Sequence, residues 1–368
     1  MTSAQTDEWT IIEGLLPSGW EDAAREQQAF RRVRYTSTPG ALLRLLLFHA
    51  VNGSGLRETV IQAKAAGLES MSPVALFKRM KTSGRWLEWI AARLAGQFRA
   101  LPRAIGSRRL RVIDSTTIQR PASTGTDWRL HYTIDLCTLS CDWQELTDAT
   151  GAELLERAPV ERGDVLLADR NFLRPLGAHH VVAAGGDLVV RLRWTHSRLT
   201  DPEGRPFRAL TRARPLRVGQ VGDWPVRFPV LDQPPIEGRV VAIRLPAPLA
   251  ANATRRMRRN SQRKQQQLTK RSLEAAHFIL IFTTLSRDAL DAAGVLELYR
   301  GRWQIERVFK RLKKLLRLGH VPHKHPAVAR SWMSAKLVAS LLLETLYRNA
   351  RSFSPWGYAI SRHAPIRD

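Results

Sequence analysis

The chain has 368 residues, 44% of them apolar and 25% charged, with 23 Gly and 20 Pro. That composition excludes a disulfide-stapled mini-protein, a collagen-like repeat and a disordered tail, and the length predicts two or three domains with cores of their own. The formal net charge is +25 and the sequence pI is near 11.3. A charge that large repels itself in the compact state unless a polyanion is the working partner, with nucleic acid the first candidate and an anionic membrane surface the second.

A membrane-spanning reading fails, because stretches such as Phe278–Phe282 and the segment around Leu341 fall far short of the ~20 apolar residues a spanning helix needs. Met1–Thr10 is polar and acidic, without the basic start and apolar run of a signal peptide. Only two cysteines are present, Cys137 and Cys141. With no second Cys/His pair nearby and His131 a poor supplement, they read as ordinary thiols of a reducing cytoplasm.

In chain order, the first hundred residues read as helical. Ser18–Phe30 is amphipathic, and Pro39–Val51 carries a dense leucine run. Ser72-Pro73 is a helix start with Ser72 as cap and proline in the first turn. It leads Val74, Leu76, Phe77 and Met80 along one stripe and Lys78, Arg79 and Lys81 along another, and Trp86–Leu94 makes a further short helix. A helix-turn-helix type of DNA binder and a plain helical packing domain fit this pattern equally well.

From Arg108 the period changes. Leu110–Asp114 and Val165–Asp169 are short apolar strands that each stop at a carboxylate. Trp128–Leu136 and Trp143–Thr147 are further strands, Ala152–Arg157 is read as helical, and a helix over Pro175–Ala184, a Gly185-Gly186 turn and a strand over Asp187–Arg193 complete an α/β block. Prolines and glycines then punctuate short strands, including Val226–Val230 and Arg239–Leu245, in a β-rich segment. Within it, Arg255–Arg271 holds eight basic residues and no acid. This run is expected as a loop or arm tracking a phosphate backbone, through Arg255, Arg256, Arg258 and Arg259 first of all. His277–Thr284 is a buried strand, Ala289–Leu316 one long helical pattern, and Ala327–Arg351 a closing helix.

An aspartate after a strand is a common turn former, so Asp114 or Asp169 alone carries little. Two of them side by side suit hard divalent cations, which prefer oxygen ligands. The third acid is more pointed. Tyr299, Arg302, Glu306 and Lys313 fall on one line of a helix, opposite Ile305, Val308, Phe309, Leu312, Leu315 and Leu316. From Leu298 to Pro326 there are nine basic residues and Glu306 is the only acid.

The string Tyr299-x2-Arg302-x3-Glu306-x6-Lys313 resembles the Tyr-Arg-Glu-Lys signature of bacterial insertion-sequence transposases, a group of DDE transposases with a ribonuclease H-like catalytic fold. Asp114 in Val112-Ile113-Asp114-Ser115-Thr116-Thr117 resembles the first aspartate of that family, and Asp169 in Ala168-Asp169-Arg170-Asn171-Phe172 the second. Ser72–Arg79 is a softer match to the family's N-terminal region. The long interval between Asp169 and Glu306 suits the subgroup with a β-rich insertion before the glutamate. One departure stands out: the family carries a tryptophan at the start of the strand before the signature helix, stacked on a displaced base, and here that position is Phe278, which either stacks on DNA or belongs to the strand's core.

The resemblance implies an α/β architecture with a ribonuclease H-like catalytic domain, a β-rich insertion, an N-terminal helical domain and C-terminal helices. The expected divisions are 1–105 for DNA-end binding, 106–193 and 277–320 for the catalytic domain, 194–276 for the insertion with its basic arm, and 321–368 for the C-terminal segment. It implies catalysis by Asp114, Asp169 and Glu306, which would hold two Mg²⁺ or Mn²⁺ ions, and cleavage and strand transfer at element ends. Tyr299, Arg302, Lys313, Arg170 and Phe278 are the further DNA contacts it suggests. It also implies a homodimer on DNA and a cytoplasmic, nucleoid-associated location. A ribonuclease H-like nuclease that cuts without rejoining, and a non-catalytic DNA-binding descendant, are the rival readings. A basic RNA-binding protein is disfavoured by the lack of an aromatic RNA-recognition motif.

Overall fold

The computed structural model describes residues 8–31, 36–69, 71–97, 107–195, 197–263, 265 and 267–350. Lys264 of the basic run and Arg351 of the expected last helix lie outside them. Five helices come first: α1 (Glu8–Glu13), α2 (Trp20–Glu26), α3 (Pro39–Asn52), α4 (Leu56–Ala65) and α5 (Pro73–Gly96). Ser72 caps α5 as its sequence suggests, with Ala75 N donating to Ser72 Oγ at 3.1 Å. The two helices expected over Ser72–Leu94 are one. Gly84, the residue that looks like a break, is where α5 meets α12 (Pro326–Ala350), and a Cβ there would lie 3.3 Å from Ser331 Oγ. A small residue lets the two helices approach, and tertiary packing outweighs the weak propensity of one glycine.

The strands are β1 (Arg109–Ile118), β2 (Trp128–Asp135), β3 (Cys141–Asp148), β4 (Asp164–Ala168), β5 (Asp187–Arg191), β6 (Leu199–Thr200), β7 (Pro206–Phe207), β8 (Val221–Val230), β9 (Gln233–Arg244) and β10 (Phe278–Thr283). They form one ten-stranded sheet in the order β3-β2-β1-β4-β5-β10-β9-β8-β6-β7. β1, β4 and β5 are parallel neighbours and the other pairings are antiparallel. The β-rich segment after residue 194 therefore extends the same sheet through β9 and β10. Ala152–Arg157 is not an α-helix: only a single 3-10 turn, Leu155–Arg157, forms there.

Both faces of the sheet are covered. On one, Val112, Leu130, Leu167 and Val189 pack with Leu43, Trp86, Ile305, Phe309 and Met333. On the other, Ile113, Leu166 and Leu188 pack with α6 (Pro175–Ala183) and α7 (Ala209–Ala213). A buried guanidinium fixes the lower ends of four strands. Arg111 donates to Asp142 Oδ2 at 2.6 Å, to Asp164 Oδ2 at 3.0 Å and to Thr133 Oγ1 at 3.2 Å. Arg109 grips Asp164 with two bonds of 2.7 and 2.8 Å. These pairs hold β1 against β4 in the register that places the aspartates.

One buried contact joins the N-terminal helices to the segment that follows the signature. His49 of α3 has no solvent exposure, and its Nε2 lies 3.1 Å from His323 Nε2. One ring nitrogen must donate and the other accept, so both rings cannot be cations there. Burial, His323 and Lys336 push His49 from an ordinary 6.5 down to about 4. A depressed histidine means the unfolded chain binds the proton first, so stability is full above pH ~6.5 and drains as pH falls toward ~4. The expected loss from this residue is about 2 kcal/mol at pH ~5. Urea unfolding at pH ~7 and ~5 measures it, and His49→Gln should remove that share of the difference.

Candidate active site

Asp114 and Asp169 meet through strand register. β1 and β4 pair from Arg109↔Asp164 to Val112↔Leu167, and each segment carries an aspartate two residues further on, Asp114 and Asp169, near enough for their charges to interact. Neighbouring strands lie about 4.8 Å apart, and equal offsets direct both side chains to the same face. Asp114 shares that face with Val112, the face on which the signature helix packs. The expected strand end at Asp114 is corrected: β1 runs on to Ile118, with Asp114 paired to Tyr132 of β2. It is β4 that stops, at Ala168, and its end leaves one side of Asp114 open.

Glu306 comes from the helical segment, which is not the single long helix its pattern suggests. α10 (Ala292–Arg300) gives way to a 3-10 turn, Gly301–Trp303, before α11 (Gln304–Lys314). Gly301 faces Leu136, where an added Cβ would lie 3.3 Å from its Cδ1. Arg302 sits in that turn and links the acids: its Nη1 lies 3.4 Å from Asp114 Oδ2 and its Nη2 2.8 Å from Glu306 Oε1. Tyr299 completes the group, with the Arg302 guanidinium 5.8 Å above its ring.

The electrostatics are those of crowded anions around one cation. Burial is the main reason Asp114 rises from 3.8 to about 6, and the charges of Asp169 and Glu153 add to it against the Ser115 N–H and Arg302. Tyr299 is pushed up to about 12, chiefly by burial. Arg302 is held above its ordinary value despite burial, by Tyr299, Glu306, Asp114 and Asp169. The donor set is all oxygen, which suits a hard divalent cation. Among the described residues, however, no three His, Cys, Asp or Glu side chains stand together ready to hold a metal. The Arg302 guanidinium, bonded to both Asp114 and Glu306, stands between these two acids.

The remaining expected residues divide. Arg170 is exposed at the rim, next to Asp169. Lys313 lies further along α11 with its stem against Gly319, whose carbonyl accepts from Gln119 N at 3.2 Å. Phe278 is corrected to core: it is 4% exposed in β10, inside the cluster with Leu280 and Phe282, and cannot meet a base. The basic run is corrected from an arm to a helix. α8 (Ala247–Arg263) carries Arg255, Arg256, Arg258 and Arg259, all exposed, and α9 (Lys270–Ala275) follows. Ala250 is the one buried residue described in α8, and these four arginines lie on its exposed surface. Arg255 and Arg258 line a shallow groove with Arg244 and His277.

Two features were not expected. Glu153, in the stretch read as a helix, bonds Ser115, Arg129 and Asn171. Trp303 is 57% exposed and lines a groove with Glu306, Arg307, Lys310, Arg311 and Lys314. Its place in Arg302-Trp303-Gln304-Ile305, between the signature positions and off the apolar stripe, is the sequence signal for an outward aromatic.

Residues 105–342 match the family described as Transposase DDE domain. The chain is 32% identical over 356 residues to the putative transposase InsL for insertion sequence element IS186A of Escherichia coli (strain K12), across 95% of this chain and 96% of that protein. It is equally 32% identical, over 357 residues, to the transposase for insertion sequence element IS421 of Escherichia coli. Among solved structures, a piggyBac transposase synaptic complex with hairpin DNA superposes with a TM-score of 0.50 at 11% identity, over 97% of this chain and 75% of that one. That likeness concerns the fold, which is ribonuclease H-like. The chain belongs to the DDE transposase family. It is a DNA transposase, an enzyme of DNA cleavage and strand transfer that works on DNA with divalent metal ions. Among the described residues, no helix is long and apolar enough to cross a membrane.

Proposed function

We propose that Asp114, Asp169 and Glu306 are the catalytic acids and metal ligands of this transposase, and that its substrates are the ends of an insertion sequence and a target duplex. The observation that supports the reading is the pairing of β1 with β4, each followed two residues after its last paired residue by an aspartate, together with the Arg302 guanidinium bonded to both Asp114 and Glu306. The three acids would hold two Mg²⁺ or Mn²⁺ ions, which when bound stabilise the attacking and leaving oxygens of an in-line displacement at phosphorus.

The chain's own cations do the positioning. Arg302 bonds both Asp114 and Glu306, and its planar fork would suit a phosphate next to the scissile one. Tyr299, held beneath it, keeps its hydroxyl proton at neutral pH and donates to the DNA backbone. Arg170 at the rim and Lys313 further along α11 meet phosphates on either side. Trp303, with Arg307, Lys310, Arg311 and Lys314 around it, offers an aromatic face within a basic groove, as single-stranded DNA binding requires. The N-terminal region, residues 1–105, binds the element end, and two copies act together on DNA.

The test uses purified chain, a duplex carrying the element's own terminal sequence, a plasmid target and Mg²⁺. Cleaved ends joined to the plasmid are expected, and cleavage without joining would favour a nuclease. The arginines of α8 have a separate signature. Replacing Arg255 and Arg258 by Gln should lower affinity gradually and flatten its salt dependence by about 0.9 in log–log slope for each DNA phosphate that is no longer neutralised. Binding titrations across a series of salt concentrations give that slope.

A further inference from the structure

Glu153 reaches the residue that follows Asp114 and a residue two positions beyond Asp169. Its Oε1 accepts from Ser115 Oγ at 2.7 Å and from Arg129 Nη1 at 2.8 Å, and its Oε2 accepts from Asn171 Nδ2 at 3.2 Å. Ser115 follows Asp114 and donates its N–H to Asp114 Oδ1 at 2.8 Å. Asn171 stands two residues after Asp169, and its Oδ1 accepts from Arg193 Nη2 at 3.3 Å. The loop carrying Glu153 is itself braced. Arg157 Nε donates to the Ala152 carbonyl at 2.9 Å, and its Nη1 reaches both Glu145 oxygens at 3.1 and 3.0 Å.

A fourth negative charge beside Asp114 and Asp169 is unfavourable by itself, so a reason for a carboxylate is needed. The bonding pattern supplies one. Both oxygens of residue 153 must accept, since they face a hydroxyl, a guanidinium and an amide nitrogen. A glutamine would turn its own NH₂ toward Asn171 Nδ2. Flipping Asn171 to accept instead would take its oxygen from Arg193.

We propose that Glu153 is a positioning residue, which clamps Ser115 and Asn171 so that Asp114 and Asp169 stay in register as ligands for a divalent cation. This rests on the assignment of those two aspartates as metal ligands. Groups that hydrogen-bond metal ligands typically change metal affinity or activity by 10–100-fold when replaced, and Glu153 acts one bond further out, through Ser115, whose N–H bonds Asp114.

The test is Mn²⁺ binding to the full-length chain without DNA, read from loss of the free-ion electron paramagnetic resonance signal. Glu153→Gln should weaken Mn²⁺ uptake by about 10-fold or more, leave the melting temperature in chelator unchanged, and slow cleavage in a way that added Mn²⁺ reverses. The double variant Glu153→Gln with Asn171→Asp exchanges donor and acceptor, keeps every bond of the clamp and keeps the net charge, so it should regain most of the affinity. Wild-type Mn²⁺ affinity in Glu153→Gln, or a double variant as weak as the single one, would overturn the proposal. Asp169→Asn runs beside them. If it loses Mn²⁺ while Glu153→Gln does not, the clamp alone is wrong. If Asp169→Asn binds like wild type, or the wild-type chain takes up no Mn²⁺, the ligand assignment falls and the clamp falls with it.

Discussion

Asp169→Asn should abolish cleavage of an element-end duplex while leaving binding of that duplex close to wild type. The substitution keeps the shape of the side chain and removes one charged oxygen donor from the space it shares with Asp114. A metal site supplies several kcal/mol of transition-state charge stabilisation, and each ~1.4 kcal/mol is tenfold in rate, so the loss is expected to exceed detection in single-turnover assays. Binding draws on other residues. It is expected to draw on cations spread over α8, α11 and the N-terminal helices, and one less negative charge near the phosphates should favour it. Gel-shift titration and single-turnover cleavage on the same preparation separate the two effects. A variant that cuts at the wild-type rate in Mg²⁺ would refute the role of Asp169.

Arg302→Ala should cost about 2–4 kcal/mol in the barrier at saturating DNA, the range for one positioned electrostatic group. The structure adds a second expectation with a definite sign. Arg302 lies between Asp114 and Glu306 and is one of the charges that holds Asp114 down against Asp169 and Glu153. Its removal leaves those anions facing one another, so the variant should gain more thermal stability from added Mn²⁺ than the wild-type chain does. Arg302→Lys keeps a point charge but loses the fork that reaches both acids, and should resemble Arg302→Ala in rate. Lys313→Ala, further along α11, should lose rate with no change in the Mn²⁺ increment. Melting curves with and without Mn²⁺, beside single-turnover rates, test both. An Arg302→Ala chain that reaches the wild-type rate once DNA is saturated would place this residue in the general basic surface.

The parts of this site that depend on local pattern are legible in the sequence. Apolar runs ending at Asp114 and Asp169 mark parallel strands, because buried strands read as continuous hydrophobic segments. The stripe Ile305, Val308, Phe309 and Leu312 fixes which side of α11 faces the core and therefore leaves Glu306 outside it. Where non-local packing decides, local pattern misleads. Gly84 joins one helix because α12 lies against it, and β1 continues past Asp114 because β2 pairs with it. The 3-10 turn at Gly301–Trp303 leaves the periodicity nearly intact, so Arg302 looks like one more position on a helix face. The basic run reads as an arm because its charges outweigh the single buried alanine, Ala250, of α8. Glu153 carries no local signal, since its partners Ser115, Arg129 and Asn171 are brought to it only by the fold. Phe278 shows the opposite limit: a single aromatic at a strand start fits core and DNA equally, and burial decides for core.

The most direct measurement is a structure of the chain with its element-end duplex and Mn²⁺, with the ions located by anomalous scattering. Mn²⁺ is expected on the carboxylates of Asp114, Asp169 and Glu306, with Arg302 turned off both acids and onto a DNA phosphate. Mn²⁺ bound elsewhere, or Arg302 still bridging Asp114 and Glu306 with DNA in place, would contradict the assignment of these three acids as the catalytic centre.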